Sequence, residues 1–171
     1  MIIHTTPDGR RYNVREIRPE DREHLVNGLG KMSLTTRYHR FHNARTAFTN
    51  EELDFLLACD GINHIAYVSR ELNERDEEGE GVGVTRFYRD PGEPTWGEVA
   101  IVVIDAWQNV GLGTNLLGAL ANHCLRSNVQ GWRAEVIGDN ERAVHSFTKF
   151  GTVVKRDWQE RSVLLHIALN L

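Results

Sequence analysis

Lysine is scarce in this 171-residue chain: its 20 basic residues divide into 17 arginines and only three lysines, Lys31, Lys149 and Lys155. Cysteine is scarcer still. Cys59 and Cys124 match no zinc or redox spacing, so no disulfide framework is expected and a reduced cytoplasm is the natural setting. No apolar run approaches the roughly 20 residues of a membrane span, and the polar start MIIHTTPDGRR lacks the apolar centre of a signal peptide. There are four prolines, no Pro/Ser-rich linker and no internal repeat, so residues 1–171 read as one domain, long enough to bury a core unaided. A basic excess is missing too. The net charge of −4 argues against a nucleic-acid partner. His39 and His42 lie three apart with no further ligand cluster, so no metal is expected.

The negative charge is concentrated. Glu71–Gly81 (ELNERDEEGEG) holds six acids and one arginine, and outside it the chain is close to neutral. The segment reads as a solvated hairpin loop, with attraction of a basic, lysine-bearing partner as the sharper alternative. Arg37, Arg40 and Arg45 form a second cluster, suited either to an acidic or phosphorylated partner or to salt bridges on a surface helix.

Periodicity orders the rest. Tyr12–Ile17 alternates as a strand; Pro19 then opens a helix to about Lys31, with acids near its positive end. Ser33–Phe48 reads as short helix and loop. Thr49 caps a helix carrying Leu53, Leu56 and Leu57 at helical spacing. His64–Arg70 and Gly81–Arg89 read as an antiparallel pair. Val99–Ile104 is apolar on both faces, which fits a central strand within Trp96–Asp105. Leu112–Arg126 carries a leucine stripe at helical spacing. Trp132–Ile137 is a strand, Asn140–Phe150 a helix, and Thr152–Trp158 and Ser162–Leu169 two closing strands. The order predicts one α/β (α+β) domain with a mixed central sheet of about seven strands and helices on both faces.

Between the central strand and the leucine-striped helix lies Gln108-Asn-Val-Gly111-Leu-Gly113-Thr114. Two glycines permit a tight turn and close backbone approach, and the helix start offers unsatisfied N–H groups and a positive dipole end. Such a turn suits a pyrophosphate. A Rossmann fingerprint fails here, because Leu116 stands where a third small residue is needed, and a P-loop fails for want of Gly-Lys-Ser/Thr.

Gln-x-x-Gly-x-Gly after an apolar strand resembles the pyrophosphate-binding motif of the GNAT acetyltransferase superfamily. Asn140-Glu-Arg-Ala143-Val-His-Ser-Phe147-Thr-Lys-Phe-Gly151 is similar to the family's Asn-x-x-Ala-x-x-x-aromatic-x-x-x-Gly helix. Met32-Ser-Leu-Thr-Thr-Arg-Tyr38-His-Arg-Phe41 resembles the Leu-Ser-x-x-x-Arg-Tyr-x-Arg-Phe segment of bacterial protein-lysine acetyltransferases, many of which carry a fused acyl-CoA-synthetase-like region. The element order from Tyr12 to Leu169 also matches the GNAT fold.

The resemblance implies an N-acetyltransferase that moves an acetyl group from acetyl-CoA to a primary amine, with a protein lysine as the acceptor. A small-molecule amine remains open, as does a non-catalytic CoA-binding module. The backbone of Val102, Val103 and Ile104 would hold the pantetheine arm. Gln108 and the amides of Asn109, Val110, Gly111, Leu112, Gly113 and Thr114 would hold the pyrophosphate, and Asn140 would bond the pantetheine. Glu98 matches the glutamate that acts as general base in part of the superfamily. It is the one charged residue between Glu93 and Asp105, and partial burial at the strand start would raise its pKa. Its alternative role is that of a strand-end carboxylate paired with a neighbouring arginine such as Arg86. The strand from Glu98 to Val102 spans about 13 Å, so Glu98 would act on the amine through a water. One departure stands out: Phe147 occupies the position where many family members carry a tyrosine as general acid.

Overall fold

The computed structural model describes residues 1–43, 45–138 and 140–170. Eight strands form one mixed sheet in the order β1-β2-β3-β4-β5-β6-β8-β7. They are β1 (Ile2–Thr5), β2 (Arg11–Glu16), β3 (His64–Leu72), β4 (Glu78–Arg89), β5 (Trp96–Val103), β6 (Gly131–Ile137), β7 (Gly151–Trp158) and β8 (Ser162–Leu169). Among the described residues five α-helices accompany them: α1 (Arg22–Gly30), α2 (Leu34–Phe41), α3 (Asn50–Leu57), α4 (Leu112–Arg126) and α5 (Glu141–Thr148). The sheet has one strand more than expected. β1 is a four-residue edge strand with Ile2 and Ile3 exposed, so it shows none of the alternation that marks a half-buried strand.

Burial follows the apolar pattern. Leu117, Leu120, Ala121 and Cys124 of α4 and Phe147 of α5 pack with Phe87, Val99, Trp132 and Leu165 on one face. On the other, Ile17, Ala66 and Val68 meet Leu25 of α1 and Leu57 of α3. The two-sided burial of β5 explains its continuous apolar run.

The acidic segment is not a solvated loop. β3 continues to Leu72 and β4 begins at Glu78, leaving only residues 73–77 as the turn. Arg15 donates to Glu78 at 2.6 Å from Nε and 2.7 Å from Nη2, and Asn13 adds a bond at 2.6 Å. The same guanidinium donates to Asp21 at 2.8 and 2.9 Å, and Arg70 Nη1 reaches Asp21 at 3.1 Å. Asp21 is 1% exposed and Arg15 5%, so this is a buried ionic network joining β2, β3 and β4 to the start of α1. Asp76 pairs with Arg11 and Glu80 with Lys31, both at 2.6 Å. Half of the acids that read as loop charge are therefore ties within the fold.

Candidate active site

β5 and β6 pair in parallel only over Trp96–Glu98 and Gly131–Arg133. Beyond Glu98 they part, and the β5 edge facing β6 is left open. Ile104 donates its N–H to Val82 on the β4 side, 3.1 Å away. Backbone groups alternate sides along a strand, so Val102 also faces β4, whereas Ile101 and Val103 face the opening. Of Val102, Val103 and Ile104, only Val103 offers its backbone to the cleft, and Gln108 Nε2 donates to its carbonyl at 3.0 Å.

At the end of β5 the chain turns into α4 through Asn109, with φ +63°, and Gly111, with φ +90°. The left-handed value at Gly111 is where glycine is needed. Gly113 is already helical, and a Cβ there would make ordinary contact with the Ile101 and Val103 side chains at 3.6 and 3.8 Å. Asn115 makes the first bond of the helix, to Gly111. The N–H groups of Asn109, Val110, Gly111, Leu112, Gly113 and Thr114 find no acceptor among the described residues. Six consecutive N–H groups at a positive helix end form an anion cradle.

Two cations flank it that the sequence reading did not single out. Arg142 Nη1 donates to Asn109 Oδ1 at 2.9 Å, and Lys149 Nζ to Thr114 Oγ1 at 3.3 Å. The signal was available: the two lie seven residues apart, two helical turns, on the helix of the second motif. Asn140 begins α5, its side-chain oxygen accepting from Ala143 N–H at 3.2 Å, which leaves Nδ2 for other partners. Phe147 is a core residue, 3% exposed.

A cleft of about 1090 Å³ runs from this cradle along the open β5 edge to Glu98, Tyr88 and α2. Glu98 is exposed, so the expected partial burial is not there: β6 leaves β5 just past this residue. Its alternative pairing with Arg86 is also not formed. Arg86 donates instead to the Leu56 carbonyl, and Glu98 makes no hydrogen bond or ion pair among the described residues. Tyr88 lies directly opposite Glu98. Its ring stacks on His64 at 4.4 Å and Phe55 at 5.7 Å, and burial pushes its hydroxyl pKa up.

α2 covers this end. Ser33 caps it by accepting from Thr36 N–H at 3.1 Å, and Asp105 accepts from Ser33 N–H at 2.9 Å and Thr36 Oγ1 at 3.0 Å. These bonds pin the start of α2 to the end of β5. Among the described residues, no cluster of three or more His, Cys, Asp or Glu forms that could hold a metal, and no helix is long and apolar enough to cross a membrane.

Residues 32–152 match the family model for acetyltransferases of the GNAT family. The chain is 31% identical over 149 residues to acetyltransferase Pat of Mycolicibacterium smegmatis, covering 87% of this chain but 43% of that protein. It is 26% identical to acetyltransferase PA5475 of Pseudomonas aeruginosa over 96% of this chain and 87% of the other. The fold superposes on the GNAT domain of S. lividans PAT with a TM-score of 0.85 at 23% identity, covering 98% and 96% of the two chains. It also matches yncA from Salmonella typhimurium, solved with acetyl-CoA, with a TM-score of 0.66 at 19% identity over 93% of each chain. The family model and the Pat match show that the chain belongs to the GNAT family of acetyltransferases.

Proposed function

We propose that this chain acetylates a protein lysine in the cytoplasm, using acetyl-CoA, by direct transfer with Glu98 as general base. The observation that carries the acetyl-CoA half is the row of six unsatisfied N–H groups opening onto a free strand edge. The N–H groups of residues 109–114, with Arg142 and Lys149 beside them, would hold the pyrophosphate. Val103 and Ile101 would bond the pantetheine arm as an added strand, with Asn140 Nδ2 near the mouth. The cosubstrate supplies an activated thioester carbonyl.

A lysine amine, with an ordinary pKa near 10.4, is mostly protonated at neutral pH and must give up a proton before it attacks. Glu98 is an exposed carboxylate with no partner among the described residues, and it lines the cleft. Too far along β5 to touch the thioester itself, it takes the proton from the amine through water. Phe147 supplies no proton to the leaving thiol. A free thiol has a pKa near 8.5, so a thiolate leaves without one. The 31% identity to Pat and the Met32–Phe41 segment favour a protein lysine over a small amine.

The test is CoA release from acetyl-CoA against lysine peptides and a panel of small amines. Turnover confined to small amines would remove the protein acceptor. Tight acetyl-CoA binding with no turnover on any amine would leave the non-catalytic module, for which Phe147 leaves room.

A further inference from the structure

The acceptor end of the cleft holds two arginines, Arg40 and Arg86, that form no ion pair among the described residues. The β4–β5 register sets Tyr88 opposite Glu98 and Arg86 opposite Ala100, so Arg86, Tyr88 and Glu98 share the sheet face that α2 covers. Arg40, in the last turn of α2, lines the cleft beside Tyr88, Glu98 and Ala100. It also lines a smaller cavity of about 60 Å³ that reaches Arg86.

The three arginines of the α2 region, which the sequence left between two readings, now separate. Arg37 donates to the carbonyls of Met32 and Arg45, and Arg45 pairs with Glu52 at 2.7 Å. Arg40 has neither kind of partner among the described residues; it lies over the Phe41 ring, 4.9 Å from the centroid. Arg86 is 2% exposed. One of its terminal nitrogens reaches the Leu56 carbonyl and stands 3.3 Å from His64 Nε2, and the other is buried with no partner. Burial and then the Arg86 charge hold His64 below its ordinary pKa, so it stands neutral beside Arg86.

The nearby carboxylates are engaged elsewhere. Asp105 binds Ser33 and Thr36, Glu135 accepts from Ser162 Oγ at 2.8 Å, and Asp60 binds three backbone N–H groups. The exceptions are Glu98 and Glu141, which also line the cleft and have no partner among the described residues, and neither makes an ion pair with either arginine. The contrast within the molecule is sharp: buried Arg15 and Arg70 share Asp21 and Glu78, while Arg40 and Arg86 pair with no carboxylate among the described residues. Burial and then the neighbouring Arg86 push Arg40 down to about 10, so it is still charged at neutral pH. A partly buried cation beside a second one is costly unless an anion joins it.

We propose that Arg40, backed by Arg86, binds a carboxylate carried by the acceptor close to its reactive amine, so that the enzyme selects acidic acceptors. The proposal deepens the acetyl-transfer reading and rests on it. Arg40, Tyr88, Glu98 and the open β5 edge line one cleft, so an acceptor with its carboxylate on Arg40 would have its amine in the space that Glu98 also lines. Two sources carry that chemistry: an Asp or Glu side chain next to the modified lysine, or the main-chain carboxylate of a C-terminal or free lysine.

The experiment compares four acceptors on the full chain: Ac-Gly-Lys-Gly-NH2, Ac-Glu-Lys-Gly-NH2, Ac-Gly-Lys-Asp-NH2 and Ac-Gly-Lys with a free carboxylate. At least one acidic acceptor should exceed the neutral one tenfold or more in kcat/KM, and which one identifies the source. Arg40→Gln should raise KM for that acceptor at least tenfold while changing kcat little, so that its advantage over the neutral peptide collapses. Arg40→Lys should restore part of it. Calorimetric titration of the same peptides, without acetyl-CoA, should show the same Arg40-dependent preference. That arm decides the proposal even if no amine is turned over, in which case only the acetyl-transfer reading fails. Equal use and equal binding of neutral and acidic peptides by the wild type, or an equal loss on both in Arg40→Gln, would overturn it.

Discussion

At the residue scale, Glu98 is defined by what surrounds it. It is the carboxylate of β5, it faces the cleft, and it makes no ion pair or hydrogen bond among the described residues. A base whose role is to accept one proton is removed cleanly by an isosteric amide. Glu98→Gln is expected to lower kcat by about 10²–10⁴-fold, with acetyl-CoA affinity unchanged, measured by steady-state kinetics and calorimetry. An equally active variant would take Glu98 out of the mechanism. Arg142 makes a complementary case: its charge lies beside the cradle but far along the cleft from Glu98. Arg142→Ala should weaken acetyl-CoA binding by about tenfold, the size of one charge-assisted hydrogen bond, and leave kcat at saturation nearly intact. The position of Glu98 was legible as a lone charge in an apolar run. Its exposure was not, because that depends on where β6 leaves β5, a tertiary event with no local mark. Arg40 likewise read as one of three similar arginines, and only the distribution of carboxylates in space set it apart.

At the element scale, the strand–turn–helix of β5 and α4 carries the cofactor chemistry. Gly111 holds φ at +90°, where an L side chain is strained by about 1–2 kcal/mol. No atom lies within 4 Å of a Cβ placed there, so the cost is conformational and not steric. Gly111→Ala should therefore fold, lose thermal stability by about that amount, and bind acetyl-CoA more weakly as the N–H row shifts. A binding titration paired with a melting curve separates the two effects. If affinity is unchanged while stability falls, the N–H row is not the anion site. This element was the most legible of all, since apolar run, glycines and leucine stripe are each local signals. β1 was the least: four residues on a sheet edge, exposed on both faces, have no periodicity to detect. The acidic segment misled for a different reason. A charge run usually reads as solvated, and nothing near residue 78 announces that Arg15, 63 positions earlier, will meet it.

At the scale of the whole molecule, that meeting ties distant segments together. Arg15 on β2, Arg70 on β3, Glu78 on β4 and Asp21 ahead of α1 form one buried network, so its protonation state bears on global stability. The Arg15 hydrogen bond, more than burial opposes it, holds Glu78 down to about 2 from an ordinary 4.5. For Asp21, burial alone would raise the pKa, but bonds from Arg15, the Arg18 N–H and Arg70 bring it below its ordinary value. Both folded-state values are depressed, so the unfolded chain binds protons first as pH falls. Their stabilisation is complete above the ordinary carboxylate range and is lost as pH drops from about 4.5 toward 2. The melting temperature should hold through mild acid and fall steeply below that range. Glu78→Gln keeps the shape but removes the charge, and at pH 7 it should cost about 1–3 kcal/mol. Because Glu78 in the native protein becomes neutral in strong acid anyway, the two proteins should converge as pH approaches 2. Melting curves that stay parallel across the acid range would show that this network does not set the acid limit of the fold.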